Sequence, residues 1–393
     1  MAPMDPAGTS PLCLPDYAGG SLVNLMSSLT LGLGAASPYP PLQLLPPQEV
    51  AAARHVLLLV VDGLGHAWLQ RGTDTLRRHL RGAMTSVFPS TTASAIPTFL
   101  TGLAPQQHGL TGWHMYFREI GAIAAPLPFR LRTGRQALRA AGVSPAALLG
   151  LSPLCDRLAR PCHVLAPQHI VHSDFNVALS GRARRHGYGK LAELFALLRQ
   201  LLGESEPSYL YAYWPELDSL AHEHGSVSAP AAQALAELDA ACAELFASAR
   251  GSDSLIIVTA DHGFIDTTPA DTLDLEEHPQ LRQTLRLPLC GEPRVAYAYV
   301  RPGHERQFEA YVEAQWAGRV LCLKRDEVLA RAWLGPGAPH PALAERLGDY
   351  VLIAQGRTIL RDWLLGEERY RHIGVHGGLS PAEMQVPLVT LHG

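Results

Sequence analysis

MTSVFPSTTASAIPTFLTGLAPQQHG, residues 84–109, carries a strand-like run, a proline, three hydroxyls and a helix-like run in that order. Thr85 to Phe88 has the β-branched and aromatic character of a strand, and Pro89 ends its pairing. Ser90, Thr91 and Thr92 follow, and Ala93 to Leu100 then reads as a helix closing at Thr101-Gly102. A hydroxyl between a strand end and a helix start sits among outward-facing N–H groups, where the helix dipole favours an anion. By itself the cluster reads as an N-cap. Other stretches of the chain change that balance.

Upstream, RHVLLLVVDGLG (54–65) has six apolar residues in a row, which suits a parallel strand covered on both faces. Asp62 lies at its carboxyl end, the edge where open α/β sheets bind ligands. Downstream, SYLYAY (208–213) reads as a strand leading into WPELDSLAHEHG (214–225), where Asp218 and His222 share one helical face. SLIIVTA (254–260) is another buried strand, and Asp261-His262-Gly263 turns at its carboxyl end. His376 opens a Gly-Gly loop before a closing strand, Val386 to Leu391; His372 is a second candidate without adjacent glycines. Singly, each has a plain structural reading: a helix cap, an exposed ion pair, a hydrogen-bonded turn, a buried histidine. Jointly they put Asp62, Thr92, Asp218, His222, Asp261, His262 and His376 on one sheet edge, with no thiolate. Imidazole plus carboxylate fits Zn²⁺, with Mn²⁺ the alternative. Two such ions about 4 Å apart stabilise both the attacking and the leaving oxygen of an in-line displacement.

In these motifs the chain resembles the alkaline phosphatase superfamily, and within it the nucleotide pyrophosphatase/phosphodiesterase (type I phosphodiesterase) family. The family's apolar strand ending in Asp is matched by VVDG with Asp62, and its FPTxT…TG segment by FPSTTASAIPTFLTG with Thr92. Its D-x-x-x-H-x-x-G is matched by Asp218, His222 and Gly225, its D-H-G by Asp261 to Gly263, and its late H-G by His376 and Gly377. The resemblance implies an α/β, alkaline-phosphatase-like sandwich with a largely parallel central sheet flanked by helices, plus a small α/β cap insertion. It implies two divalent metal ions, zinc before manganese. Asp218, His222 and His376 would hold one; Asp62, Asp261 and His262 the other, which also touches Thr92. Thr92 is then the nucleophile, activated by metal coordination, and a phospho- or nucleotidyl-threonine the intermediate. Thr91 is the adjacent rival; keeping Phe88-Pro89 and Thr101-Gly102 in register selects Thr92. There are two departures. Ala95 stands where the family commonly has an asparagine, and Trp113 with His114 where a second asparagine follows the H-G of residues 108–109. Either Trp113 or His114 donates to a phosphoryl oxygen, or both simply wall the substrate pocket.

With 393 residues, 47% of them hydrophobic, the chain has room for a large α/β domain with an insertion. The expected layout is an N-terminal arm over 1–52, a catalytic core over 53–265 and 366–393, and a cap-like α/β insertion over 266–365. Residues 136–190 read as short helical pieces between Pro and Gly breaks, with Arg182, Arg184 and Arg185 a solvated patch. Net charge is −4 with no basic run, so no nucleic-acid surface is evident and the expected partner is a small phosphate ester or nucleotide. The N-terminus lacks a signal pattern, no apolar run nears the roughly 20 residues of a membrane span, and the cysteines form no CxxC pair. A cytoplasmic protein is expected, with Cys155 and Cys162 near enough in sequence to bridge a short loop.

Rival activities would use the same site. A phosphomonoesterase needs a further cation for its dianionic phosphate, and no Arg or Lys is assignable from sequence, so diesters are expected to react faster. A phosphonate-ester hydrolase stays open, and a phosphomutase needs a larger insertion. A sulfatase motif fails at Tyr17 of Cys13-Leu14-Pro15-Asp16-Tyr17. A non-catalytic metal-binding protein with a degenerate site sits poorly with a full ligand set.

Overall fold

The computed structural model describes residues 12–367 and 369–393; the first eleven residues of the expected arm lie outside the described residues. Seven strands make the central sheet: β1 (His55–Val61), β2 (Leu80–Thr85), β3 (Cys162–Pro167), β4 (Arg184–Tyr188), β5 (Ser208–Trp214), β6 (Ser254–Thr259) and β7 (Gln385–His392). Their order is β2-β7-β6-β1-β5-β3-β4. β1 pairs in parallel with β5 and β6, and β3 in parallel with β5 and β4; β7 runs antiparallel between β6 and β2. Every residue of β1 is buried, as an unbroken apolar run in a sheet covered by helices requires.

Strand register sets the site. Val61 lies opposite Trp214 and Val60 opposite Thr259, so β1, β5 and β6 end level with one another. Asp62, the helix that follows β5, and Asp261 therefore all leave the sheet at one edge.

Four further strands, Cys290–Gly291, Val295–Ala298, Tyr350–Ala354 and Val320–Lys324, form a separate antiparallel sheet. The helix Glu305–Trp316 packs on it through Phe308, Val312 and Trp316. A three-stranded sheet, Met115–Phe117, Ala122–Ala125 and Arg130–Leu131, hooks onto this unit where His114 and Gly291 exchange backbone hydrogen bonds of 3.2 and 2.6 Å. Among the described residues no helix is long and apolar enough to cross a membrane.

Several sequence expectations change. The region read as an arm contains α1 (Leu22–Gly32), whose residues from Leu22 to Thr30 are all buried in the main core. Its polar residues are satisfied locally: Asn24 Nδ2 donates to Tyr17 and Pro40 carbonyls at 3.0 and 2.9 Å, and Ser27 Oγ to Tyr39 O at 2.7 Å. A helix buried on all sides has no 3.6-residue polarity pattern to reveal it. The strand expected from Thr85 to Phe88 instead ends at Thr85, so Val87 and Phe88 lie in the loop that leads to the threonines. Residues 136–190 hold β3 and β4 besides short helices, and Arg184 and Arg185 belong to edge strand β4 rather than to a loose patch. Charges on an edge strand discourage further pairing, and they hid the strand from a hydropathy reading. Cys155 and Cys162 are both buried free thiols.

Candidate active site

Asp62 follows β1 directly, and its N–H donates to Trp214 O at 2.9 Å. The helix α2 (Thr92–Thr101) begins after Thr91, whose extended backbone makes it the N-cap. Thr92 is therefore the first helical residue, where N–H groups have no intrahelical carbonyl. Its Oγ1 lies 3.3 and 3.4 Å from the two Asp62 oxygens and 3.1 Å from His262 Nε2. Thr91 turns elsewhere: its Oγ1 donates to Glu292 Oε1 at 2.7 Å.

Asp218 and His222 lie on the helix α3 (Glu216–His224). His376 is held by pairing on both sides: Gly374–Val375 runs antiparallel to Ile265–Asp266, and Gly377 bridges to Ser90. One ligand atom each from Asp218, His222 and His376 falls within 4.8 Å of the others, and the same holds for Asp62, Asp218 and His262. Asp218 thus belongs to both groups. Around His262 Nε2, Asp62 Oδ1 stands at 3.2 Å and Asp261 Oδ2 at 3.5 Å. His372 belongs to neither group; its ring lies 4.2 Å from that of His222, centre to centre.

The imidazoles are oriented alike. Nδ1 of His222 meets Gly374 O at 2.8 Å, that of His262 meets Gly263 O at 3.1 Å, and that of His376 meets Ser90 O at 3.3 Å. A ring that donates from Nδ1 to a carbonyl offers a lone pair at Nε2, so the carbonyl partners assign the tautomers. The Nε2 atoms of His222 and His376 face each other at 3.3 Å, a repulsive arrangement unless a proton or a cation intervenes. Asp218 Oδ1 and Asp261 Oδ2 are buried and accept no hydrogen bond. Orphaned carboxylate oxygens that converge with imidazole lone pairs, each ring fixed by a carbonyl behind it, could hold a divalent metal ion. Phe264 lies beneath, with ring centres 5.2, 5.5 and 5.3 Å from His222, His262 and His376. Gly63 makes room for it: at φ +77° a Cβ there would come 2.3 Å from the Phe264 ring.

Electrostatics tell the same story. Burial pushes Asp62 up to about 8, with the Asp218 charge adding to it. Burial likewise lifts Asp261 well above the carboxylate range, with Asp62 adding. Burial opposes charge on Asp218 and His222 alike, yet the Asp218 carboxylate holds His222 up at about 9 and His222 keeps Asp218 below its ordinary value. Protons and metal ions compete for such a cluster.

Thr92, Asp218, His222 and His376 open on a cavity of about 460 Å³ that Trp113 and His114 also line. Burial pushes His114 down to about 3, so it is neutral, and the Trp113 backbone N–H donates to Glu292 Oε1 at 2.7 Å. Sequence reading missed several residues here. Tyr213 donates its hydroxyl to Asp62 Oδ2. Burial pushes Glu292, on the cavity wall, up to about 7. The expectation that no arginine is assignable needs correction: Arg130, Arg132, Arg135 and Arg361 all line the cavity. They come from the Ala122–Leu131 hairpin, the loop after it and the 266–365 region, and no motif near them announced their convergence.

A model of the type I phosphodiesterase / nucleotide pyrophosphatase family matches residues 56–379 of the chain. Murine ectonucleotide pyrophosphatase/phosphodiesterase 5, solved as an inactive variant in complex with AMP, superposes with a TM-score of 0.63 at 17% identity, covering 86% of this chain and 87% of that one. Human ectonucleotide pyrophosphatase/phosphodiesterase 5 gives the same values, TM-score 0.63, 17% identity, 86% and 87%. Phosphonoacetate hydrolase from Sinorhizobium meliloti 1021, in complex with phosphonoacetate, superposes with a TM-score of 0.63 at 20% identity, over 86% of this chain and 90% of that one. No curated protein matches the chain by sequence.

Proposed function

The chain belongs to the type I phosphodiesterase/nucleotide pyrophosphatase family, and on that footing we propose that it is a metal-dependent phosphodiesterase or nucleotide pyrophosphatase with Thr92 as nucleophile. The observation that carries this is the Thr92 hydroxyl at the start of α2, between 3.1 and 3.4 Å from His262 and Asp62. Asp218, His222 and His376 would hold one divalent ion, and Asp62 and His262 the other, with Asp218 in reach of both and Asp261 Oδ2 3.5 Å from His262 Nε2 as a further ligand of the second. Zn²⁺ suits these ligands best, with Mn²⁺ the alternative. When bound, the metal pair supplies Lewis acidity, which makes a threonine hydroxyl and a water usable nucleophiles at neutral pH.

Asp62 and His262 hold Oγ1 in place for attack on phosphorus. As the new P–O bond forms, the bond to the leaving group breaks, the Oγ1 proton ends on the departing oxygen by way of solvent, and the phosphoryl or nucleotidyl group rests on Thr92. Water then attacks the same phosphorus and releases Thr92 with its proton. The N–H groups of Thr92 and Ala93 would face the phosphoryl oxygens, since those of Ser94 and Ala95 donate to Thr91 O. Neutral His114 offers one N–H as a further donor, and Trp113 walls the pocket. Residues 53–265 with 366–393 as core, and 266–365 as cap, suit this chemistry: the cap brings Glu292 and Arg361 over the sheet edge. The AMP and phosphonoacetate bound by the two structural neighbours fit a small phosphate or phosphonate substrate.

Zinc-loaded protein assayed side by side on bis-p-nitrophenyl phosphate, p-nitrophenyl thymidine monophosphate and p-nitrophenyl phosphate tests the proposal. The diesters should show the higher kcat/KM. A preference for p-nitrophenyl phosphate would make the chain a monoesterase, and no turnover of any ester by the metal-loaded protein would leave a non-catalytic metal-binding chain.

A further inference from the structure

Among the described residues three arginines are buried: Arg294, Arg346 and Arg361. Glu383 holds Arg294 with two bonds of 3.0 Å, and Glu119 pairs with Arg346 at 3.1 Å. Arg361 differs. It is 8% exposed, its side chain hydrogen-bonds that of Tyr370, and among the described residues Asp274 and Glu292 attract it only from beyond ion-pair distance. Its guanidinium lies over the rings of Trp363 and Tyr370, 5.3 and 5.2 Å from their centres. Such contacts offset only part of what burying a guanidinium without an ion-pair partner costs.

The counter-ion has a place to come from. Arg361 faces the same cavity as Thr92. A row of tilted rings connects the two regions: Tyr370 lies 4.4 Å from His372, and His372 4.2 Å from His222, centre to centre, each pair inclined by 32°. On the same wall Arg130 has no carboxylate partner among the described residues, while Arg132 is fixed by Glu367, with Nε–Oε1 at 2.7 Å.

Taking the cavity as the substrate site, as the proposed function does, we infer that Arg361, seconded by Arg130, receives a second anionic group of the substrate, away from the phosphorus under attack. The guanidinium fork accepts a carboxylate or a phosphoryl group bidentately. The substrate class is then a phosphoric or phosphonic acid derivative with an additional anionic tail, such as a nucleoside diphosphate or a phosphonocarboxylate, rather than an uncharged-tailed diester.

Calorimetric titration of the zinc-loaded protein, with no need for turnover, tests this with two probe pairs: ADP against AMP, and phosphonoacetate against methylphosphonate. In at least one pair the probe with the extra anion should bind about ten- to a hundredfold tighter, the value of charged hydrogen bonds. The pair that discriminates tells phosphoryl from carboxylate. Arg361→Gln should bring that ratio close to one, and Arg361→Lys should keep part of it. With no ion pair to lose, neither variant should melt below the wild type without ligand. Equal binding within both pairs, a ratio that survives Arg361→Gln, or a Tm several degrees lower in the variants would overturn the subsite. Discrimination that depends on Arg361 in a protein that hydrolyses no ester would uphold the subsite and remove only the catalytic reading.

Discussion

Replacing Thr92 by alanine probes the proposed chemistry at its centre. The substitution removes the Cγ2 methyl and Oγ1, the oxygen within 3.4 Å of Asp62 and His262, and leaves every carboxylate and imidazole of the cluster in place. Metal content should therefore stay near that of the wild type. Without Oγ1 no covalent intermediate forms, and kcat should fall about 10³-fold or more, the scale for losing a nucleophile that acts with its activating groups. That loss corresponds to roughly 4 kcal/mol of barrier. Thr91→Ala is the control, because its hydroxyl is adjacent and chemically identical but donates to Glu292 at 2.7 Å. It should cost about 1–2 kcal/mol of stability and less than about tenfold in kcat. Acid quench during turnover, followed by mass spectrometry of the 84–109 peptide, locates the phosphate directly. Phosphate on Thr91, or near-normal turnover by Thr92→Ala, would refute the assignment.

Further outcomes follow from the same geometry. Elemental analysis should find about two metal ions per chain, and Asp218→Asn, which touches both ligand groups, should lower occupancy of both; loss of one ion alone would show that Asp218 serves a single site. Chelation should lower Tm by about 5 °C for each ion removed, about 10 °C for two: saturation of one site at a thousandfold excess over Kd is worth about 4 kcal/mol, and the unfolding entropy of 393 residues is about 0.8 kcal/mol/K. Burial holds His108 down at about 3, against an ordinary 6.5. The unfolded chain therefore binds this proton first, so the His108 contribution is complete above pH 6.5 and is lost as pH falls toward 3. Between pH 7 and 5 that loss is about 2 kcal/mol, and His108→Gln should flatten the urea-unfolding stability profile by this amount; an unchanged slope would contradict it. Glu383→Gln strands the buried Arg294 guanidinium and should cost about 3–5 kcal/mol; a cost under about 1 kcal/mol would mean the pair is solvated.

Local patterns carried most of the site. The apolar run of β1 with Asp62 at its end, three hydroxyls between Pro89 and a helix, Asp218 and His222 on one helical face, and Asp261-His262-Gly263 after β6 are all set by residues a few positions apart. Periodicity and turn chemistry reveal such features because backbone geometry relates near neighbours in the same way in any fold. The chain by itself therefore determined a largely parallel α/β sheet with these side chains at strand ends. Only the tertiary structure decided the rest. α1 is buried on every side and β4 is a charged edge strand, so neither has a polarity pattern to read. Asp218 stands between both ligand groups because β1 and β5 end in register, a pairing of segments more than a hundred residues apart. Phe264 beneath the imidazoles, Glu292 on Thr91 and Arg361 on the cavity wall owe their positions to long-range packing. Side-chain convergence across such distances depends on how the sheets and helices pack, and no local rule of spacing encodes it.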